Sequence, residues 1–222
     1  MKYLYETHFH TDEVSPCGKV PAEQGVAMYR AAGYSGIMVT DHFSTEYMQE
    51  DYPGADWREK MDYYLRGYHL ALECADDDFA VILGMELRLP QNGNDYLLFG
   101  VTEEWLYGHE WFCETDIKSF KALADSDGIT IVQAHPFRKN MTIVEARYLH
   151  GMEVFNGNRR HDSANRVARE WAKSHEILMT SGSDFHQPED MARGGIFLDR
   201  RVTNARELRT ELLKGDYSLK ET

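Results

Sequence analysis

The sequence predicts an α/β fold in which short buried strands alternate with helices. Such alternation is typical of parallel βαβ units that are covered on both faces. About seven units in one chain favour a barrel or a distorted barrel, with an open doubly wound sheet as the alternative. After an N-terminal strand, the apolar runs of strand length are Ile37–Val39, Val81–Leu83, Tyr96–Phe99, Ile129–Val132, Met152–Phe155 and Ile177–Met179.

Helical patterns fill most of the intervals between these runs. The first begins at Pro21, a residue favoured at helix N-termini, and stops before Gly33. Another ends at Gly128, as a helix with a C-terminal glycine does. The predicted helices are Pro21–Ala32, Trp57–Ala75, Asp116–Ser126, His161–Ser174 and Ala205–Lys214.

Length and composition predict a single soluble domain over residues 1–222. Apolar residues make up 42% of the 222 residues, and the net charge of −13 argues against broad binding to nucleic acid or anionic membranes. Three scattered cysteines do not form a disulfide framework, and neither a signal peptide nor an apolar stretch of membrane-spanning length is apparent. We therefore expect a cytoplasmic protein, with homo-oligomerisation left open.

Potential metal ligands follow five of the predicted strands. Because the carboxyl ends of parallel strands meet at one end of an α/β fold, these side chains are expected to converge. His8 and His10, two positions apart on an extended segment, point the same way, and Asp184 and His186 repeat this spacing. Mixed imidazole and carboxylate donors favour Zn, Mn or Fe. The five segments are His8-Phe9-His10, Thr40-Asp41-His42, Gly84-Met85-Glu86, Ala134-His135-Pro136 and Ser183-Asp184-Phe185-His186.

In order and spacing, these five segments resemble the PHP family, named for polymerase and histidinol phosphatase. The resemblance extends over nearly the whole chain. It implies a distorted (β/α)7-type barrel, a site for two or three divalent ions, and hydrolysis of phosphoesters. By position, it assigns His8, His10 and Asp184 to the first ion and His42 and His186 to the second. Glu86 would bridge the first and third ions, and His135 would hold the third.

The chain departs from the family pattern at two places. Where the family usually has an Asp or His shortly after the first motif, this chain has Glu13 and Cys17. Of the two, Glu13 is the preferred metal ligand, whereas a Cys17 thiolate would favour zinc. The alternative that both are ordinary loop residues is equally open. At the start of the strand after Glu86, Asp95 stands where a His is common, and it is either a ligand or a turn residue.

The function implied is hydrolysis of a small phosphorylated metabolite, most simply a phosphomonoester, by attack of a hydroxide that bridges two ions. Asp184 and His186 are the candidate catalytic residues, and Arg138 and Arg159 are candidates for binding the phosphate. Two alternatives use the same site: a phosphodiesterase or nuclease, and a hydrolase of C–N bonds. A regulatory domain that binds metal without catalysis is an alternative of another class.

Overall fold

A computed structural model describes residues 2–222, except for the side chain of Asp51. These residues contain eleven β-strands and eight α-helices. Met1, the first residue of the predicted domain, lies outside these described residues. The strands are β1 (Tyr3–Phe9), β2 (Gly36–Val39), β3 (His42–Phe43), β4 (Ala80–Leu83), β5 (Met85–Arg88), β6 (Asp95–Phe99), β7 (Thr130–Gln133), β8 (Gly151–Asn156), β9 (Leu178–Gly182), β10 (Gly194–Leu198) and β11 (Tyr217–Glu221).

The helices begin and end where local chemistry favours it. In one, Asp116 accepts a hydrogen bond from the Ser119 amide at the start, and Gly128 adopts a left-handed conformation at the end. The predicted long helix 57–75 is instead two helices that meet at Leu65. The helices are α1 (Ala22–Ala31), α2 (Thr45–Asp51), α3 (Trp57–Tyr64), α4 (Arg66–Glu73), α5 (Glu103–Gly108), α6 (Ile117–Asp127), α7 (Asn165–Ser174) and α8 (Ala205–Lys214).

The strands form two sheets. The first has the order β11-β10-β1-β2-β4, and the second has the order β3-β5-β6-β7-β8-β9. A single parallel bridge between Phe9 and Phe185 joins the end of β1 to the segment after β9. Within residues 2–222 the strands do not form one closed barrel, so the α/β class is confirmed and the (β/α)7 barrel is not.

Pairing is parallel for β1, β2 and β4 and for β7, β8 and β9. The prediction of parallel strands throughout is wrong for β6, which runs antiparallel to both β5 and β7. A short turn joins β5 directly to β6, so no crossover helix reverses the chain between them. The start of β6 therefore lies at the end of the fold where the parallel strands finish.

The core is layered on both faces of the sheets, as the apolar runs predicted. Along β6, Tyr96 and Leu98 pack against α3, α5 and α6, whereas Leu97 and Phe99 face the space between the two sheets. Helices α1 and α4 cover the outer face of the first sheet, and α7 covers β8. No helix within residues 2–222 has the length and apolar character needed to cross a membrane.

Candidate metal centre

Side chains at the ends of β1, β7 and β9, in β3 and β5, and at the start of β6 converge at one end of the fold. The ligand atoms of these residues form overlapping sets of three in which all atoms lie within 4.8 Å of one another. All are buried except His42, which is partly buried. The converging residues are His8, His10, His42, Glu86, Asp95, His135, Asp184 and His186.

Glu86 lies in the middle of this cluster. Its Oε1 atom is 3.2 Å from His8 Nε2 and 3.1 Å from His135 Nε2. Its Oε2 atom is 3.3 Å from His10 Nε2 and 2.8 Å from His42 Nδ1. Four imidazoles therefore surround one carboxylate, which is the arrangement that a bridging ligand requires.

Asp184 is the second carboxylate of the cluster. Its Oδ1 atom lies 3.4 Å from His8 Nε2, 3.6 Å from His10 Nε2 and 3.3 Å from His186 Nδ1. Asp184 and His135 both have positive φ angles, 52° and 28°, which L-residues rarely adopt. Such backbone strain costs about 1–3 kcal/mol per residue and is concentrated at functional sites.

Four buried atoms of the cluster residues lack a hydrogen-bond partner: His8 Nε2, His10 Nε2, Glu86 Oε2 and His135 Nδ1. Leaving a buried polar atom unpaired costs about 1–3 kcal/mol. Divalent cations would give the first three of these atoms a partner, and the mixture of imidazole and carboxylate donors suits Zn, Mn or Fe. The residues present therefore fit a metal site.

Electrostatics keep the carboxylates and one key imidazole in the forms that bind metal. Burial raises the pKa of Glu86, but His8 and His42 outweigh it and hold that pKa well below its usual range. Burial also raises the pKa of Asp184, and His8 and Arg138 together hold it well below normal. Burial and the neighbouring His186 and His42 lower the pKa of His10, which favours neutral imidazole.

Glu153 orients the first histidine from behind. Its Oε1 atom lies 2.8 Å from His8 Nδ1, and its Oε2 atom accepts hydrogen bonds from the His135 amide and from Asn156 Nδ2. A carboxylate on Nδ1 leaves Nε2 free to bind metal and makes it more basic. Sequence reasoning missed Glu153, although an acidic residue inside the buried run Met152–Phe155 was a usable signal.

Asp41 supports His10 through Ser15. The Ser15 hydroxyl donates to Asp41 Oδ1 at 2.7 Å and lies 3.0 Å from His10 Nδ1. Asp41 also accepts hydrogen bonds from the amide and hydroxyl of Thr11. Asp41 therefore supports His10 indirectly, through the Ser15 hydroxyl.

The structure does not bring Glu13 to the cluster. Its carboxylate accepts hydrogen bonds from the Ala22 amide at 3.1 and 3.2 Å, at the start of α1. A helix N-terminus has unpaired amides and a positive dipole end, so it attracts a carboxylate. Cys17, the alternative, does face the cluster. Burial raises the pKa of its thiol, but hydrogen bonds with His186 and His42 outweigh this and lower it to about 6.

Asp95 lies at the edge of the cluster and has a second partner. Its carboxylate accepts two hydrogen bonds from Arg88, each 2.8 Å long, across the β5–β6 pair. Its Oδ2 atom is 3.9 Å from His135 Nε2, and it shares a candidate ligand set with His42 and Glu86. The antiparallel direction of β6 explains how the first residue of a strand reaches a site built from strand ends.

A cavity of about 450 Å³ opens onto the cluster. Arg138 lines it and donates hydrogen bonds to Asp184 Oδ2 at 2.5 Å and to Asn156 Oδ1 at 2.6 Å. Arg159, the other predicted phosphate ligand, is exposed and lies outside the cavity wall. Its neighbour Arg160 lines the cavity instead and is held by Asp190 at 2.8 Å.

The chain is similar to known proteins in part of its sequence and in its fold. Residues 162–217 match the family described as PHP-associated. No curated protein sequence matches the chain. A two-domain protein from Bacteroides vulgatus that contains a predicted PHP-like metal-dependent phosphoesterase shares the fold, with a TM-score of 0.68 and 18% identity over 100% of this chain. This chain spans only 65% of the length of that protein.

Two further structures share the fold. PsfC from Pseudomonas syringae has a TM-score of 0.66 and 16% identity, over 100% of this chain and 92% of PsfC. A lesion-specific endonuclease from Pyrococcus furiosus has a TM-score of 0.61 and 13% identity, over 99% of this chain and 58% of the endonuclease. The chain thus matches the PHP-associated family over residues 162–217 and shares its fold with a protein that contains a predicted PHP-like metal-dependent phosphoesterase.

Proposed function

We propose that this chain is a metal-dependent phosphoesterase that hydrolyses a small phosphomonoester. The observation that carries the proposal is the position of Glu86, which is buried among four histidines, two of which, His42 and His135, line the cavity. We propose the eight converging residues of the cluster as the ligands of two or three ions. Divalent ions in such a site supply an activated water at neutral pH and neutralise phosphoryl charge.

The walls of the cavity suit an anionic substrate. Arg88, Arg138, Lys139 and Arg160 line it, although the whole chain has a net charge of −13. Carboxylates hold three of these four side chains in place: Asp95 binds Arg88, Asp184 binds Arg138 and Asp190 binds Arg160. A guanidinium group that is already fixed loses little conformational entropy when it binds phosphate oxygens. Asp95, Asp162 and Asp184 also line the cavity, so phosphate binding here would depend on the placement of the guanidinium groups and not on an excess of positive charge.

The size of the cavity favours a small substrate over a polymer. A volume of about 450 Å³ falls within the range of pockets that enclose single metabolites. Arg138 is the best-placed substrate ligand, because it reaches the cavity while its guanidinium is fixed by Asp184 and Asn156. Asp184 and His186 lie next to each other at the same point, where they would contact the reacting phosphoryl group.

A substrate panel tests the proposal. The protein is freed of metal, reloaded with Mn or Zn, and assayed against phosphomonoesters, phosphodiesters and amides. We expect turnover of monoesters that chelator abolishes and that the Glu86→Gln variant lacks. The matched control is Glu104→Gln, which changes an exposed carboxylate on α5 and should retain full activity. Turnover of diesters or amides alone, or none by metal-loaded protein, would refute the proposal.

A further inference from the structure

Three of the converging histidines form a candidate ligand set of their own, and two of them, His42 and His186, line the cavity. The ligand atoms of His10, His42 and His186 lie within 4.8 Å of one another. The His10 ring centroid is 4.1 Å from that of His186 and 4.4 Å from that of His42. The set itself contains three nitrogen donors, and the carboxylates of Glu86 and Asp184 and the cavity wall lie beside it.

The cavity wall provides Cys17 at this point. The Cys17 thiol lies within hydrogen-bonding reach of both His42 and His186, and it lines the same cavity. Two backbone hydrogen bonds hold its loop in place: the Gly18 amide donates to the Ser15 carbonyl at 2.9 Å, and the Lys19 amide donates to the His186 carbonyl at 2.8 Å. The loop is therefore fixed directly to the strand end that presents His186.

Close packing also fixes the loop beneath the thiol. A Cβ atom on Gly18 would lie 2.4 Å from the Thr11 carbonyl oxygen, so the chain approaches the end of β1 as closely as glycine allows. The residue that follows Cys17 thus cannot move toward the core. The backbone that follows Cys17 is therefore fixed beside the end of β1 and beside His186.

An independent observation indicates a ligand at this point. The Nε2 atom of His10 is completely buried and has no hydrogen-bond partner, while its Nδ1 atom is engaged by Ser15. A buried nitrogen with its other side fixed in this way is the usual arrangement of a metal-binding histidine. It lies in the same set of ligand atoms as His42 and His186.

We propose that Cys17 binds, as a thiolate, the ion that His42 and His186 hold, and that this makes the chain select zinc at that position. The thiol proton is released to solvent when the sulfur–metal bond forms, as for other cysteine ligands. Thiolate and imidazole donors favour zinc over the harder manganese and magnesium ions. This inference rests on the metal site of the proposed function but not on the reaction that occurs there.

Cobalt substitution tests the assignment directly. The protein is stripped of metal and loaded with Co(II), and the near-ultraviolet thiolate-to-cobalt charge-transfer absorption is recorded. We expect this absorption in the wild type and in Cys74→Ser, a control that changes the partly exposed cysteine at the C-terminal end of α4. We expect it to disappear in Cys17→Ser. In Cys17→Asp, an oxygen ligand should preserve bound cobalt while the sulfur absorption is lost.

A second measurement does not depend on cobalt. Mass spectrometry of alkylated peptides would follow the modification of Cys17 with and without zinc. A separate zinc titration would compare the affinities of wild type and Cys17→Ser. Because loss of a group that supports a ligand lowers metal affinity by about 10–100-fold, loss of a direct ligand should weaken zinc binding at least about tenfold. Zinc should protect Cys17 from alkylation and leave the reactivity of Cys74 unchanged.

The outcomes separate this inference from the proposed function. An equal sulfur-to-cobalt absorption in wild type and Cys17→Ser, no such absorption in either, or no protection by zinc would overturn the role of Cys17. Monoester turnover that persists in those cases would leave the proposed function standing. Conversely, a cobalt–thiolate signal in a protein that hydrolyses no phosphoester would support the Cys17 ligand and refute the phosphoesterase.

Discussion

Glu153 Oε1 lies 2.8 Å from His8 Nδ1, and both side chains are buried. Through its other oxygen, the same carboxylate accepts the amide of His135, so one residue positions two candidate ligands from different strands. We expect Glu153→Gln to weaken metal binding by about 10–100-fold, because the amide cannot give His8 the same basicity. Isothermal titration calorimetry of the metal-free protein with zinc measures this change in affinity.

The control for that variant is Glu145→Gln, an exposed carboxylate before the short turn 146–148. It should bind zinc as the wild type does. If Glu153→Gln bound zinc with unchanged affinity while remaining folded, Glu153 would be only a structural acceptor for the His135 amide.

Arg138 and Arg159 form a natural pair of test positions. Arg138 lines the cavity beside Asp184, whereas Arg159 is exposed outside it. We expect Arg138→Met to lower kcat/KM for a phosphomonoester by roughly 10–100-fold, since a hydrogen bond to a charged group contributes about 1.5–3 kcal/mol. Arg159→Met should change it less than about twofold. Steady-state kinetics of the metal-loaded variants would reveal the difference, and equal losses in both would contradict the placement.

Gly67 makes a close contact that the site depends on. A Cβ atom at this position of α4 would lie 2.1 Å from Thr11 Oγ1 and 2.8 Å from Asp41 Oδ2. We expect Gly67→Ala to destabilise the protein by about 1–3 kcal/mol, because two hydrogen-bonded groups behind His10 must move. Denaturation in urea measures the change.

Gly108 is the comparison for Gly67. It ends α5, and a Cβ atom there would meet nothing within 4 Å. Gly108→Ala should therefore leave stability unchanged or raise it slightly, by less than about 1 kcal/mol. A similar loss in both variants would mean that the contact with Thr11 is not the cause.

Substitution of Glu13 distinguishes a helix-capping role of this residue from a metal-binding role. Because its carboxylate accepts the Ala22 amide, Glu13→Ala should cost about 0.5–2 kcal/mol of stability and leave the number of bound ions unchanged. Metal content by mass spectrometry and thermal unfolding provide the two measurements. Glu23→Ala, in the exposed first turn of α1, should affect both less. Loss of an ion in Glu13→Ala would restore the ligand role that the sequence suggested.

The sequence alone determined the fold class and the candidate ligands that follow parallel strands. Apolar runs such as Val81–Leu83 predicted β4, and the residues after each run, such as His8, His135 and His186, were recognisable as donors at a common end. This succeeds because alternation along a strand and the common direction of parallel strands are local properties of the chain.

Only the tertiary structure decided the remainder. Because β6 runs antiparallel to β5, Asp95 lies beside His135. The packing of the loop after β1 places the Glu13 carboxylate at the start of α1 and Cys17 beside His42 and His186. Glu153 was missed because it reaches His8 across 145 residues of chain. Such contacts depend on how distant segments pack and on which partner satisfies each buried polar group, and neither is encoded in spacing along a single segment.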